Sequence, residues 1–281
     1  MMFITIDQAD FQQVVETWNQ GFSDYLLPIH VDQATLEHRI QSLSLSKNLS
    51  AVFSIDGEFA GIILLGIQTF QQTKVMWVGG MAVIPKYRRN KVASKLIDYA
   101  ERLARENQCD HLILEVIATN ERARKLYEAK GLSVVNELAV GSVDLLVPAK
   151  AASTIYFQPI TSKEQAMTEK QWTPWQNRSI FLDQNYAIYQ NESRIGSISF
   201  NLAEEASGKG VTLKQVQLFK EQHLPLMMDI LLTLKEQENS VTVKLNNFDM
   251  ATPEYRELQK IGVTLQLTQF QLAKQLNRNN G

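Results

Sequence analysis

A run of cationic residues lies where a loop turns into a helix, between Pro85 and Ala93. The run is Pro-Lys-Tyr-Arg-Arg-Asn-Lys-Val-Ala, with Arg88, Arg89 and Lys91 at the turn itself. The first amides of a helix have no intrahelical acceptor and carry partial positive charge, so several of them can hold one phosphate together. The segment therefore indicates an anion site for a phosphate-bearing ligand. A solvated basic loop that caps the helix is the alternative, and on this segment alone the two interpretations are evenly balanced.

Two strands and two helices must position this loop. A strand is predicted from Lys74 to Ile84, interrupted by Gly79-Gly80, and a helix with apolar residues at helical spacing follows from Lys91 to Glu106. Adjacent glycines inside a strand indicate a bulge, or a close approach to the backbone. A strand dense in Leu, Ile and Val is predicted from His111 to Thr119, then a short helix from Glu121 to Lys130.

The elements before and after this segment complete a first domain. Two helices are predicted early in the chain, the first capped by Asp7 and the second from Asp32 to about Leu43. A hairpin follows, because Asp56-Gly57 joins two strand-like runs. Two short strands, Leu132 to Val135 and Ser142 to Val147, are expected to close the half as a pair.

After a connector at 148–153, the order of predicted elements repeats. We predict a strand pair that begins at Ser179–Leu182, further strands, a long helix from Pro225 to Glu238 and a helix that stops at Gly262. A repeat at about half the chain length predicts a duplicated domain. The expected fold class is α/β (α+β), with two domains at 1–148 and 154–281, each a mixed, mostly antiparallel sheet flanked by helices.

Composition excludes several classes of protein. Of 281 residues, 44% are hydrophobic and 21% charged, and the net charge of -2 argues against a nucleic-acid partner. The single cysteine, Cys109, and four histidines predict no metal site and no intrachain disulfide. No apolar run approaches the ~18 residues of a membrane helix, and no signal-peptide pattern is present. We expect no membrane partner and a cytoplasmic location, and leave a homo-oligomer open.

Two sequence motifs lie in order between Met81 and Leu132. At the turn, Arg88 and Ala93 take the first and last positions of R/Q-x-x-G-x-G/A. One strand later, Asn120, Ala123, Tyr127 and Gly131 fit N-x-x-A-x-x-x-Y-x-x-x-G. By these motifs the segment resembles the GCN5-related N-acetyltransferase superfamily, and the resemblance implies an N-acetyltransferase that takes acetyl from acetyl-CoA, with a small-molecule or peptide amine as acceptor.

The resemblance also implies where acetyl-CoA would bind. Backbone groups of Met81 to Val83 would hold the pantetheine arm, and amides from Arg89 to Ser94 would hold the pyrophosphate. Asn120 would contact the cofactor where the two central strands separate. The complete predicted set is Met81, Ala82, Val83, Arg88, Arg89, Asn90, Lys91, Val92, Ala93, Ser94, Asn120 and Ala123.

One residue departs from the family pattern. Lys91 stands where the family usually has glycine. If the family needs glycine only so that the phosphate can reach a backbone amide, lysine keeps that amide and adds a charge. If the position needs a positive φ angle, lysine costs roughly 1 kcal/mol or more there. We expect a helical φ, which suits any residue, and hence retention of the site.

Acetyl transfer needs a proton acceptor for the amine and a proton donor for the departing thiolate. Tyr127 is the predicted acid, since its family counterpart commonly lies near the thioester sulfur; a core residue on one helical face is the alternative. Glu115, a carboxylate within an apolar strand, is the predicted base. Its spacing from Asn120 is similar to that in ribosomal-protein alanine acetyltransferases, where the matching glutamate serves as base. The alternative is an ion pair with Arg88 or Arg124.

The acceptor pocket is expected between the first two helices and the sheet. Aromatic residues and one carboxylate there would suit an amine, although a loop packed on the sheet would contain the same residue types. The predicted acceptor residues are Phe22, Asp24, Tyr25 and Trp77.

The second half lacks the corresponding motif. Its turn begins Phe219-Lys220-Glu221, and Leu258 takes the place of Tyr127 when the terminal glycines are aligned. The expectation is an active first domain and a degenerate second copy. A non-catalytic acyl-CoA sensor and an interaction module are the competing interpretations of the whole chain.

Overall fold

The computed structural model describes residues 1–25, 29–143, 145, 154–205 and 208–276. The described chain forms two compact units. Unit 1 contains Met1–Glu115, Asn120–Ser133 and the segment from Leu272, and unit 2 contains Val116–Thr119 and Val134–Gln271. The connector at 148–153, and with it the predicted domain boundary, lies outside the described residues.

Unit 1 is built from five strands and four helices. The strands are β1 (Met2–Thr5), β2 (Ala51–Ile55), β3 (Glu58–Phe70), β4 (Thr73–Val83) and β5 (His111–Ile117). The helices are α1 (Phe11–Gly21), α2 (Gln33–Ser42), α3 (Val92–Glu106) and α4 (Glu121–Ala129), with a 3₁₀ turn at Pro85–Tyr87.

Local sequence explains most of these boundaries. Asp32 caps α2 as expected, its carboxylate accepting from the amide of Thr35 at 2.7 Å. Helix α1, however, is capped by Asp10 and not by Asp7. The prediction took the first capping residue of the sequence, but Asp10 is the one whose carboxylate accepts from an amide of the first turn, that of Gln12.

The strands of unit 1 follow the order β1-β2-β3-β4-β5, antiparallel except for the parallel pair β4–β5. Pairing between β4 and β5 ends at Val78↔Leu114. At the same level the β3–β4 register shifts between Leu64 and Leu65, which leaves Gly79 as the extra residue of a bulge. The predicted bulge is therefore confirmed. It lies where β4 parts from β5.

Unit 2 repeats this order of elements. Its strands are β6 (Ser133–Val143), β7 (Ile155–Pro159), β8 (Gln184–Gln190), β9 (Ser193–Glu205), β10 (Gly208–Leu218), β11 (Ser240–Asp249) and most of β12 (Val263–Gln275). Its helices are α5 (Ser162–Ala166), α6 (Met227–Gln237) and α7 (Pro253–Ile261), with 3₁₀ turns at Trp175–Asn177, Ser179–Phe181 and Glu221–Leu226. Strands β10 and β11 are parallel, as β4 and β5 are.

Three predictions for these elements were wrong. The expected strand at Ser179–Leu182 is a 3₁₀ turn followed by β8. The long helix begins at Met227, because residues from Glu221 to Leu226 form a 3₁₀ turn around Pro225. The strand pair expected after α4 is the single strand β6, which pairs with β11 through Val243↔Val143.

Each unit has an apolar core. In unit 2, side chains of the strands pack against Met227, Ile230, Leu231 and Leu234 of α6, all of them buried. In unit 1, α3 buries Val92, Leu96 and Ala100 on its sheet-facing side. Among the described helices, none combines the length and the apolar character needed to cross a membrane. The mixed, mostly antiparallel strand pairing and the flanking helices of each unit agree with the predicted fold class.

Candidate active site

The predicted anion site is the start of α3. Its N-cap residue is Lys91, and no side chain of the described residues caps the helix. Arg89, Asn90 and Lys91 are exposed, and Ala93 and Ser94 are partly exposed. The helix start is therefore open to a ligand, with two cationic side chains beside it.

The backbone of Lys91 differs from the expectation. Lys91 has φ 58° and ψ 16°, and Arg89 also has a positive φ of 68°. The expected helical φ was wrong, because Lys91 precedes the first helical residue and turns the chain into the helix. Left-handed backbone costs a side-chain-bearing residue on the order of 1–2 kcal/mol, so Lys91 is held here by the surrounding structure.

The predicted pantetheine track is the end of β4. Met81, Ala82 and Val83 pair with Ile63, Ile62 and Gly61 of β3 on one side. Among the described strands, β5 no longer pairs with them on the other side, because its pairing with β4 stopped at Val78. The freed edge leads directly to the α3 start.

Arg88 connects a predicted acceptor residue, Asp24, with a predicted cofactor-binding residue, Val83. Its guanidinium donates to both carboxylate oxygens of Asp24, at 2.5 and 2.7 Å, and Nε donates to the carbonyl of Val83 at 3.1 Å. A fourth bond reaches the carbonyl of Gly21 at 3.3 Å. The pKa of Asp24 is lowered by the hydrogen bonds from Arg88. Arg88 therefore fastens the loop after α1 to the end of β4, instead of pointing freely toward a cofactor.

Asn120 and Ala123 form the start of α4. The side-chain oxygen of Asn120 accepts from the amide of Ala123 at 3.2 Å. Asn120 is thus the N-cap of the helix that carries Tyr127. Helix capping alone explains why an asparagine stands seven residues before Tyr127. Its side-chain NH₂ group is not needed for the cap.

Tyr127 lies on the buried face of α4 and is 7% exposed. Burial, with a smaller effect from Tyr25, raises the pKa of the Tyr127 phenol far above its usual range. No hydrogen bond joins its hydroxyl to another of the described residues. Tyr25 is itself stacked edge-on against Phe22, with ring centroids 5.2 Å apart. The fold thus brings the predicted acid and two predicted acceptor residues together.

Glu115 is held by Trp77. The indole nitrogen of Trp77 donates to Glu115 Oε2 at 2.7 Å, and Trp77 is only 2% exposed. Glu115 also interacts electrostatically with Arg39, whose pKa is lowered by burial and raised in part by this carboxylate. Of the two suggested arginines, Arg88 forms an ion pair with Asp24, and Arg124 forms one with Glu128.

Two residues of this site were missed from the sequence. Arg39 donates to the carbonyl of Gly79 at 2.8 Å and lies over the ring of Trp18. The ring of Trp18 packs so closely on Gly80 that a Cβ there would be 2.5 Å from it. The sequence contained one indication that Arg39 faces the sheet. Arg39 lies three residues after Leu36 and one before Ile40, which places it beside the buried face of α2.

Cys109 cannot serve as an acyl carrier at this site. It lies after α3, is 2% exposed, and burial raises the pKa of its thiol to about 11. Within the described part of the chain, no three His, Cys, Asp or Glu side chains cluster as metal ligands.

Comparison with known proteins agrees with this geometry. Residues 10–132 match the model of the Acetyltransferase (GNAT) family. N-alpha-acetyltransferase 30 of Dictyostelium discoideum is 31% identical over 99 residues, which is 33% of this chain. The chain spans 54% of that curated relative.

Solved structures match nearly the entire chain. A tandem GNAT protein from the clavulanic acid biosynthesis pathway matches 98% of both chains, at 14% identity and a TM-score of 0.63. A GCN5-related N-acetyltransferase from Sphaerobacter thermophilus matches 98% of this chain and 95% of its own, at 12% identity and a TM-score of 0.63. At these identities the likeness concerns the fold, and it extends over both units. The family match therefore covers residues 10–132, and the likeness to the solved structures extends the fold of that family over both units.

Proposed function

We propose that unit 1 is an acetyl-CoA-dependent N-acetyltransferase that acts by direct attack of a primary amine on the thioester. The observation that carries the proposal is the open helix start at α3, beside the free edge of β4. A diphosphate would be bound there by amides from Arg89 to Ser94 and attracted by the exposed Arg89 and Lys91 side chains. The edge from Met81 to Val83 would take the pantetheine amides as an added strand takes backbone groups.

Tyr127 is the proposed proton donor to the departing thiolate. Because the pKa of its phenol is raised by burial, the hydroxyl stays protonated around neutral pH. The contribution of such an acid to turnover does not change with pH near neutrality. The phenol needs only to lie close to the thioester sulfur. The thiol of Cys109, with a pKa of about 11, gives no comparable route through an acyl-enzyme.

Glu115 is the proposed base. Trp77 fixes one carboxylate oxygen, so the orientation of the group is set before any amine arrives. Arg39 interacts electrostatically with the same carboxylate. A carboxylate base has least to do for an amine that is already partly deprotonated.

The acceptor that fits this description best is an N-terminal α-amine. An α-amine has a pKa of about 7.7–8.0, so a good fraction is unprotonated at neutral pH, whereas lysine, near ~10.4, offers about one molecule in a thousand. The likeness to an N-alpha-acetyltransferase supports the same class of acceptor. Phe22 and Tyr25, which the Arg88–Asp24 pair holds beside β4, would contact the first residues of such a peptide.

The test is a comparison of three acceptors with the purified full chain and acetyl-CoA. We expect CoA release with a peptide that has a free N-terminus and none with its N-terminally blocked form that retains a lysine. A small amine without a peptide should react more slowly, since it lacks the contacts with the α1 loop. Glu115→Gln should reduce turnover, while Glu37→Gln, at a half-buried carboxylate of α2 that pairs with Lys47, should leave it unchanged.

Other results would replace the proposal. Tight binding of CoA by calorimetry, without acetylation of any amine in the panel, would assign the chain as an acyl-CoA sensor. Absence of a thermal shift with acetyl-CoA would leave only an interaction module.

We further propose that unit 2 is the degenerate copy. The carboxylate of Glu254, which is 3% exposed, accepts from the amide of Leu218 at 2.9 Å. Leu218 ends β10 as Val83 ends β4, so the protein's own side chain occupies an edge that is free in unit 1. Counting from the last parallel pair of each unit, Asn246 takes the place of Glu115.

A further inference from the structure

Unit 2 contains a cleft of its own where β10 and β11 separate. Their parallel pairing ends at Leu213↔Leu245, and β10 then bulges at Lys214. The cleft has a volume of about 50 Å³. Its charged lining is Lys170, Lys214 and Asp249, its polar lining includes Gln215 and Asn247, and its apolar walls include Pro174 and Val216.

Lys214 lies at the bulge and lines this cleft. Its Nζ donates to Asn246 Oδ1 at 2.7 Å, and its carbonyl accepts from Asn177 Nδ2 at 3.2 Å. No carboxylate of the described residues forms an ion pair with it. Burial lowers the pKa of the amine to about 8. The cleft therefore holds a cation whose charge is poorly compensated by the protein.

Asn247 supplies a second, independent sign of a ligand. It is 0% exposed and lines the cleft, and its Oδ1 accepts from Gln269 Nε2 at 2.8 Å. Its side-chain nitrogen Nδ2 is without a hydrogen-bond partner among the described residues. A buried donor left unsatisfied costs about 1–3 kcal/mol, so such groups in folded proteins commonly await a water or a ligand oxygen.

The chemistry of the cleft selects against coenzyme A. Glu254 already takes the amide of Leu218 at the strand edge, and the loop that follows presents Glu221. Of the charged lining residues, two are lysines and one is Asp249, which gives a formal charge of +1. One negative charge balances this lining, whereas a diphosphate does not.

The geometry points to a binding site for a small organic acid with one carboxylate and a short apolar tail. The carboxylate accepts from Lys214 Nζ and Asn247 Nδ2, and the tail contacts Pro174 and Val216. Two donors, one of them charged, give a carboxylate charge-assisted bonds that an uncharged amide cannot form equally well. This proposed site does not depend on acetyl transfer in unit 1, and its test does not involve that activity.

Propionate is a suitable probe, with propionamide as its uncharged counterpart and inorganic phosphate as a second anion. We would titrate each into the full chain by calorimetry or ligand-observed NMR, for wild type, Lys214→Met and Asn247→Asp. Asn247→Asp keeps the oxygen that accepts from Gln269 but replaces the free donor by a negative charge. Lys209→Met is the matched control, because Lys209 is an exposed lysine of the same strand that does not line the cleft.

We expect propionate to bind wild type and Lys209→Met equally, and to bind each cleft variant at least about tenfold more weakly. Propionamide should bind no better to wild type than to Lys214→Met. Absence of propionate binding to wild type overturns the proposal. So does binding that both cleft variants retain, or phosphate binding that matches propionate in every protein, which would mean nonspecific attraction of anions. If one cleft variant fails to fold, as judged by circular dichroism, the other decides.

Discussion

Replacing Tyr127 by phenylalanine separates a catalytic role from a packing role. The ring would keep its place on α4, because the substitution removes one oxygen and no carbon. That hydroxyl forms no hydrogen bond with the described residues, so its removal leaves no partner unsatisfied. A hydrogen-bonded tyrosine typically loses about 0.5–1.5 kcal/mol in this change, and we expect less than about 0.5 kcal/mol here.

Turnover should respond differently. A positioned acid contributes about 10²–10⁴-fold, so we expect Tyr127→Phe to reduce kcat at least about tenfold, equivalent to roughly 1.4 kcal/mol of barrier. The affinity for acetyl-CoA should stay nearly unchanged, because the proposed site would bind the cofactor chiefly through backbone groups of β4 and α3. The assay is steady-state release of CoA with a peptide acceptor, accompanied by urea denaturation and calorimetry with acetyl-CoA.

Tyr255 gives a matched control in unit 2. It is 1% exposed, and its hydroxyl also has no hydrogen-bond partner among the described residues. Tyr255→Phe should therefore resemble Tyr127→Phe in stability and wild type in turnover. Unchanged kcat in Tyr127→Phe would remove this phenol from the mechanism, and equal losses in both variants would show that the effect comes from packing.

Three further perturbations test the surroundings of the site. Lys91→Gly should raise the free energy of unfolding by up to about 1 kcal/mol, because relief of roughly 1–2 kcal/mol of left-handed strain exceeds the entropy lost by glycine. Lys95→Gly, within α3, should lower the free energy of unfolding by about 1 kcal/mol. A change of the same sign in both variants would refute the strain argument. Asp24→Asn should raise KM for the peptide more than KM for acetyl-CoA, because the Arg88 link orients the α1 loop, and an equal rise in both constants would contradict that role. Iodoacetamide should alkylate Cys109 very slowly at pH 8, because a thiol of pKa about 11 is then roughly one part in a thousand thiolate. Alkylation should become faster as the pH rises toward that pKa. Rapid alkylation of the folded chain at pH 8 would show that the thiol is not buried and that its pKa is not raised.

Local sequence determined the frame of the first unit. Asp56-Gly57 defined the hairpin, apolar spacing defined α3 and α4, and Gly79-Gly80 marked the bulge at which β4 leaves β5. Each of these features depends on residues close in the chain: a turn type, a helical period, a position without Cβ. For the same reason the two family motifs, which occupy one continuous segment, were recognisable without a structure.

Tertiary structure decided which residues meet. The sequence did not reveal that Arg88 binds Asp24, that Trp77 and Arg39 are the neighbours of Glu115, or that β6 pairs with β11. A hydrophobic pattern records which side of a strand or helix is buried, but not which element covers it. The φ of Lys91 is likewise set by the packing of the helix that follows and not by the preference of lysine. Spacing along the chain is thus sufficient for local geometry, whereas charge pairing and strand partners depend on contacts between distant segments.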